Sequence, residues 1–246
     1  MGLRSVVLSG GEPFLHPDLF AIVDFLKSKE LRYSLYTCGV ICGPKGPASI
    51  PDEVFDRIKD DGLEKVIFSL HAGTQATQAK ISSLPSSFPS VLASIRTAKK
   101  SDIEVEIHVV PMSINYAELE QVLDVADALG VSKVSFLRFV PQGRGTEQLR
   151  LNREQFLGLQ QLYRKYQNGY KSVKIRFGTP FNCITYRGGH CTAGVNKVLI
   201  NAYGEILPCE AFKYLHGQRP TIYQQDIGEV WKSDPLLNAL RAIHVD

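Results

Sequence analysis

The sequence lacks the features that mark membrane proteins, nucleic-acid-binding proteins and disulfide-bonded proteins. Its 246 residues include no apolar stretch near the roughly 20 residues of a membrane span, and no signal-peptide pattern. The formal net charge is only +3 at pH 7, and no dense basic run is present. Five cysteines are an odd and sparse set for a disulfide framework. We therefore expect a cytoplasmic protein with free or metal-bound thiols, and neither nucleic acid nor a membrane as partner.

Strand-like and helix-like segments alternate along the first two thirds of the chain. Strands are predicted at residues 5–8, 32–36, 65–69, 104–109 and 133–140, and helices at 18–29, 52–61, 90–100, 116–129 and 153–167. Such βα units in series predict an α/β fold with a parallel sheet and crossover helices. The periodicity alone fits a barrel or a doubly wound open sheet.

The rhythm of the sequence changes after residue 168. Short strands at 173–177, 198–200 and 205–207, with a turn at Tyr203-Gly204, indicate a hairpin, and a short helix follows at 235–243. We therefore predict two domains, at residues 1–168 and 169–246. The second is a small extension that contains the hairpin.

The most informative motif is Ser9-Gly10-Gly11-Glu12-Pro13, which directly follows the first apolar strand. Glycine has no Cβ, so a ligand can lie against the main chain there. The adjacent carboxylate can accept strong, charge-assisted hydrogen bonds from an ammonium group. The alternative is an ordinary turn between a strand and a helix that Asp18 caps.

Other strand ends carry polar residues, and ligands bind at the carboxyl ends of parallel strands. The second strand ends in Tyr36-Thr37-Cys38-Gly39 and the third in Ser69-Leu70-His71. His71 is expected to be a loop histidine bonded to backbone rather than a catalyst, and His108 a satisfied core residue. Arg138 can equally pair with a carboxylate of the protein or contact a ligand.

Taken in order, these motifs resemble the radical S-adenosylmethionine (SAM) enzymes. The resemblance implies a partial (β/α) TIM-like barrel of parallel strands. It also implies that Gly10, Gly11 and Glu12 hold the amino group of SAM, that Ser69 lies beside its polar half, and that Val140 lies near its adenine. Two further positions are compared with the family's motifs: one departs from the usual residue, and the other agrees with it. Cys38 replaces the usual asparagine of a Thr-Asn-Gly strand end, and Asn115 sits where relatives often place an asparagine.

In that family, a loop with the spacing Cys-x3-Cys-x2-Cys binds a [4Fe-4S] cluster. No such triplet occurs in this sequence. Cys38 and Cys42 have Cys-x3-Cys spacing, but no third cysteine follows and the pair lies on the wrong strand, so isolated thiols are expected. The chain therefore looks like a member of the family without its first βα unit.

Three cysteines of the extension form a second candidate metal site. Three thiolates suit a soft metal such as cluster iron or zinc. The segment with Cys191 and Cys209 is similar to the opening of the SPASM or twitch extensions of radical SAM enzymes. That similarity implies an auxiliary [4Fe-4S] cluster on Cys191 and Cys209, with Cys183 as a third ligand. The fourth position is then either open or taken by a non-cysteine ligand such as His190.

The resemblance implies reductive cleavage of SAM to a 5′-deoxyadenosyl radical that modifies a peptide or small-molecule substrate, with a reductant protein as partner. The alternative is a non-catalytic remnant or accessory binding module that keeps the barrel but lacks the SAM cluster. A cluster-free nucleotide-binding enzyme has little support, because no other nucleotide fingerprint is present.

Overall fold

The computed structural model describes residues 2–43, 46–59, 62–141, 143, 145–186, 191–213 and 219–243. The chain divides into two compact units, residues 2–186 and residues 187–246. Among the described residues, no helix combines the length and apolar character that crossing a membrane requires. The cytoplasmic location stays a prediction.

The strands and helices are numbered in chain order. The strands are β1 Ser5–Leu8, β2 Arg32–Thr37, β3 Ile41–Gly43, β4 Gly46–Ala48, β5 Leu63–Ser69, β6 Val105–Val109, β7 Lys133–Phe136, β8 Lys174–Phe177, β9 Leu199–Ile200 and β10 Ile206–Leu207. The α-helices are α1 Leu19–Ser28, α2 Asp52–Ile58, α3 Gln75–Ser82, α4 Ser87–Lys100, α5 Leu119–Ala128, α6 Arg153–Tyr166, α7 Asn182–Thr185, α8 Ile227–Ser233 and α9 Pro235–Ala242.

The first unit is built on a six-stranded sheet in the order β1-β2-β5-β6-β7-β8. Every neighbouring pair is parallel. Each new strand is added on the same side of the previous one, as in a barrel, whereas a doubly wound sheet reverses direction. β1 and β8 lie at the two open edges. The predicted α/β fold, a partial barrel with a small hairpin extension, is confirmed.

The two faces of this sheet differ in chemistry. Alternate residues such as Leu35, Phe68 and Ile107 are fully buried and pack with the helices in one large core; we call this the outer face. The opposite, inner face is mostly polar. By strand alternation and register it comprises Ser34, Tyr36, Lys65, Ile67, Ser69, Glu106, His108, Lys133, Ser135, Lys174 and Arg176. The apolar core thus lies on one face and polar side chains line the other, which is the pattern of a barrel wall.

Two loops of the first unit contain more structure than their composition predicts. The sequence predicts no helix between the strand at 65–69 and the helix at 90–100, but α3 lies in this interval and α4 begins already at Ser87. Thr74 caps α3 by accepting a hydrogen bond from the backbone of Thr77. The Gly/Pro-rich loop at 39–51 contains the β3–β4 hairpin. By contrast, β7 stops at Phe136, so the strand predicted to reach residue 140 is four residues too long.

The segment after residue 168 contributes to both units. β8 pairs in parallel with β7, with Val134 opposite Ile175, so it belongs to the barrel sheet and not to a hairpin. Its shortness and its position after a break in the βα rhythm concealed this. In the second unit, the antiparallel pairing of β9 and β10 confirms the predicted hairpin. Ile206, Val230 and Leu237 form the centre of a small core there.

Candidate functional site

Glu12 lies at the carboxyl ends of β1 and β2. Its Oε1 accepts hydrogen bonds from the backbone N–H of Phe14 at 3.2 Å and from the Thr37 hydroxyl at 2.8 Å. Its Oε2 accepts the backbone N–H of Cys38 at 2.7 Å. A carboxylate offers about four acceptor positions, so after these three contacts the fourth is available to the neighbouring Cys38 thiol or to a ligand donor. The side chain is thus aimed and fixed while it keeps the capacity to bind one further donor.

The glycines before Glu12 leave open space above the main chain. Gly10 has a φ of +126°, a conformation that residues with a Cβ rarely adopt. A Cβ built on Gly10 or on Gly11 would meet no other atom within 4 Å. Bare backbone and a fixed carboxylate therefore occur together, as the motif predicts. Asp18 precedes α1 but makes no side-chain capping bond, so the capping role considered for it is wrong.

Cys38 is held as a protonated thiol beside Glu12. Its Sγ donates to the carbonyl of Val40 at 3.3 Å. Partial burial, a hydrogen bond with Glu12 and the negative charge of Glu12 raise the pKa of Cys38 from 9.0 to about 12. The thiolate is the form that attacks electrophiles, so the free Cys38 thiol is a poor nucleophile at neutral pH. This supports the interpretation of Cys38 as an isolated thiol.

Ser69 lies at the carboxyl end of its strand, and Val140 lies beyond the carboxyl end of β7. Ser69 is the last residue of β5, and its Cα is paired in register with that of His108 on β6. Val140 follows β7 by four residues and is 44% exposed. Arg138, between β7 and Val140, is exposed. The roles of Ser69 and Val140 toward a ligand stay predictions.

Asn115 and His71 support the strand ends through hydrogen bonds. The fully buried Asn115 accepts the N–H of Met112 at 2.7 Å and donates to the carbonyls of His71 and Val110 at 2.7 and 2.9 Å. His71 Nδ1 accepts the N–H of Val110 at 3.3 Å. Burial, with a contribution from His108, lowers the pKa of His71 to about 4. His71 is therefore neutral and bonded to backbone, as expected.

Glu118 organises the loop after β5, a role that the sequence motifs did not indicate. Its carboxylate accepts the N–H groups of Gly73 and Thr74, both at 3.1 Å, and the hydroxyls of Thr74 and Thr77. The loop that follows Ser69 and His71 is thereby tied to the start of α5.

The inner face contains a buried polar cluster that sequence reasoning also missed. Glu106, 2% exposed, accepts hydrogen bonds from Lys65 at 2.7 Å, Lys133 at 2.9 Å, Ser135 at 2.6 Å and His108 at 3.0 Å. Burial alone would raise the pKa of Glu106, but these donors outweigh it and hold the pKa far below its ordinary value. His108 is therefore part of a polar cluster and not a satisfied core residue. The available signal was the two-residue spacing of Glu106 and His108 on one strand.

The predicted auxiliary metal ligands do not lie in one unit. Cys183 belongs to the first unit, whereas Cys191 and Cys209 belong to the second. Within the described part of the chain, no three His, Cys, Asp or Glu side chains are gathered to hold a metal ion. His190 lies outside the described residues. The cluster on Cys183, Cys191 and Cys209 stays a prediction.

A comparison with protein families settles the ancestry of the barrel. The radical SAM superfamily profile matches residues 1–126, which is half of the chain. The chain belongs to the radical SAM superfamily. Enzymes of this superfamily use SAM together with a [4Fe-4S] cluster.

Curated relatives of this radical SAM chain are distant but collinear over nearly its whole length. The AdoMet-dependent heme synthase of Methanosarcina barkeri is 22% identical, covering 98% of this chain and 72% of that protein. The PqqA peptide cyclase of Gluconobacter oxydans is 23% identical, covering 98% of this chain and 66% of that protein. The chain therefore spans about two thirds to three quarters of these relatives.

Solved structures with the same fold include two peptide-related radical SAM proteins. Streptococcus suis SuiB bound to S-adenosylmethionine aligns with a TM-score of 0.77 and 16% identity, over 97% of this chain and 56% of SuiB. Native anSMEcpe with bound AdoMet and Kp18Cys peptide aligns with a TM-score of 0.68 and 17% identity, over 94% of this chain and 67% of that protein. At these identities the likeness shows the fold.

Proposed function

We propose that this chain is the barrel portion of an enzyme that cleaves SAM reductively and modifies a peptide or small-molecule substrate. When bound and reduced by a [4Fe-4S] cluster, SAM supplies a 5′-deoxyadenosyl radical. The protein supplies binding, orientation and exclusion of water. Because the chain spans only part of its relatives, this activity is a proposal about the whole protein.

The observation that carries the proposal is the geometry of Glu12. One N–H of the SAM ammonium group would replace the weak contact of the Cys38 thiol as the fourth donor to Glu12, and the open backbone of Gly10 and Gly11 leaves room for the rest of the amino-acid moiety. Ser69 is proposed to contact the polar half of SAM, and Val140 to lie near adenine. The residues present thus fit SAM.

The residues present do not fit the cluster that would reduce SAM. The sequence contains no Cys-x3-Cys-x2-Cys loop, and no third cysteine follows Cys38 and Cys42 at that spacing. We propose that the cluster ligands come from outside the 246 residues. A second candidate function, an accessory binding module without radical chemistry, is supported by the same absence. The auxiliary cluster on Cys183, Cys191 and Cys209 remains part of the first proposal.

The substrate class follows from the relatives. One acts on the PqqA peptide, SuiB is known bound to the precursor peptide SuiA, and anSMEcpe was crystallised with peptides. We therefore propose a peptide substrate, while the heme synthase relative favours a small molecule. A reductant protein is the proposed electron donor.

The test is anaerobic assay of the complete gene product, reconstituted with iron and sulfide, with SAM and a chemical reductant. We expect 5′-deoxyadenosine to form. We also expect the same preparation to contain more iron per protein than one [4Fe-4S] cluster holds. Glu12→Gln should weaken SAM binding roughly 10- to 100-fold, because a charge-assisted hydrogen bond contributes about 1.5–3 kcal/mol.

Glu53→Gln, at an exposed carboxylate in the first turn of α2, is the matched control and should bind SAM normally. Absence of 5′-deoxyadenosine from the complete protein would favour the accessory module. Normal SAM affinity in Glu12→Gln would show that the binding site is assigned wrongly.

A further inference from the structure

The Glu106 cluster fixes which nitrogen of His108 carries a proton. The pKa of Glu106 lies far below its ordinary value, so its carboxylate is ionised and only accepts hydrogen bonds. Its contact with His108 Nε2 at 3.0 Å therefore requires a proton on Nε2. In the neutral imidazole, Nδ1 then carries a lone pair and acts as an acceptor.

This acceptor nitrogen is buried and unused. His108 is 6% exposed, and Nδ1 has no hydrogen-bond partner among the described residues. Two neighbouring groups do not satisfy it. The Tyr36 ring packs edge-on against the imidazole, with centroids 5.0 Å apart, and the Nδ1 of His71 is already bonded to Val110. A buried polar atom without a partner is unfavourable, so it marks a place for an external donor.

The position of His108 connects this atom to the reaction site. His108 is paired in register with Ser69, the residue predicted to contact SAM, and both are on the inner face. Tyr36 precedes Thr37, which bonds Glu12. The unused acceptor thus belongs to a residue that is level with the carboxyl end of β5.

We propose that His108 Nδ1 is a substrate-binding acceptor, which takes a hydrogen bond from an O–H or N–H group of the substrate. Glu106 is a positioning residue that holds the ring and its tautomer. The ligand group is a hydrogen-bond donor and not a carboxylate, because a carboxylate would set its own lone pairs against that of Nδ1. This inference rests on the proposed function only in calling the bound molecule a substrate; the unused acceptor on Nδ1 does not depend on it.

The first test is nuclear magnetic resonance of the full chain labelled with ¹⁵N-histidine, without SAM or iron. Long-range proton–nitrogen correlations distinguish protonated from unprotonated ring nitrogens, and His108→Phe assigns the signals. We expect a single His108 tautomer with the proton on Nε2. In Glu106→Gln the preference should weaken, because an amide can donate as well as accept. A proton on Nδ1 in the wild type would overturn the inference.

The second test uses phenol as a donor probe and anisole as its matched control without an O–H. Phenol should shift the His108 Nδ1 signal saturably, and anisole should not. The Nδ1 of His71, whose acceptor position is occupied, should respond to neither. Equal responses to both compounds, or none, would show that only water satisfies Nδ1 and would refute the proposal. Because the measurement needs no SAM, its failure is distinct from failure of the proposed enzyme activity.

Discussion

Two carboxylates of the barrel, Glu12 and Glu106, are satisfied in different ways. Glu106 accepts four hydrogen bonds, two of them from lysines, and has no acceptor position left. Glu12 accepts three from backbone and hydroxyl groups, all neutral donors, and its fourth position is available to the Cys38 thiol or to a ligand donor. The number and charge of the hydrogen-bond donors thus distinguish Glu106, which organises its neighbours, from Glu12, which is suited to a cationic ligand.

The largest expected effect is on stability when Glu106 is removed. Glu106→Ala leaves Lys65 and Lys133 without their shared partner. We expect a loss of about 3 kcal/mol, the lower end for a broken buried pair, because the lysine side chains are 31% and 30% exposed and reach solvent. Urea unfolding measures it. Glu104→Ala, at an exposed carboxylate beside β6, should change stability by less than about 0.5 kcal/mol.

The pH dependence of unfolding sharpens the same test. In the unfolded chain the Glu106 carboxyl is protonated near its ordinary pKa of 4.5, whereas in the folded protein it stays ionised at lower pH. The stabilisation is therefore present above about 4.5 and is lost as the pH falls. Glu106→Gln should flatten this slope. An unchanged slope would mean that Glu106 is not the ionised hub described.

A smaller effect is expected in thiol reactivity next to Glu12. Both Cys38 and Cys42 are exposed, but at pH 8 iodoacetamide should alkylate Cys38 at least about tenfold more slowly than Cys42, because the raised pKa of Cys38 leaves little thiolate. The Cys38 rate should climb up to pH 11, and Glu12→Ala should accelerate it at pH 8. Peptide mass spectrometry reports both sites. Equal rates at Cys38 and Cys42 would contradict the protonated-thiol assignment.

The smallest effect separates the two glycines. Gly10→Ala should cost about 1–2 kcal/mol in urea unfolding, because alanine is strained at a φ of +126°. Gly11→Ala has no such strain and no atom near its new methyl group, so stability should hold within about 0.5 kcal/mol. SAM affinity should still fall in Gly11→Ala, because the methyl group occupies the open space. A stable variant with normal affinity would place the ligand elsewhere.

The sequence was enough to predict the central strands and the family to which the chain belongs, because both rest on local patterns. Val66-Ile67-Phe68 indicates a buried strand, and Gly10-Gly11-Glu12 marks a strand end, without knowledge of the rest of the fold. β8 was misassigned because a four-residue strand carries little periodicity and is defined by its partner β7.

The polar clusters were missed for a different physical reason. Glu106 meets Lys65 and Lys133 across a sheet, at sequence separations of 41 and 27 residues, and only the register brings the three together. The same holds for Glu118, which reaches back about 44 residues to Thr74. Long-range ion pairs leave no local signature.

The open edge at β1 has a consequence for assembly. One side of this strand pairs with β2, and Val7 on it is 54% exposed. Backbone groups along the other side form a ready template, onto which an additional extended segment can dock by main-chain pairing alone. Concentrated preparations of the isolated chain should therefore self-associate through the β1 edge. A short β-strand peptide added in excess should compete with that association.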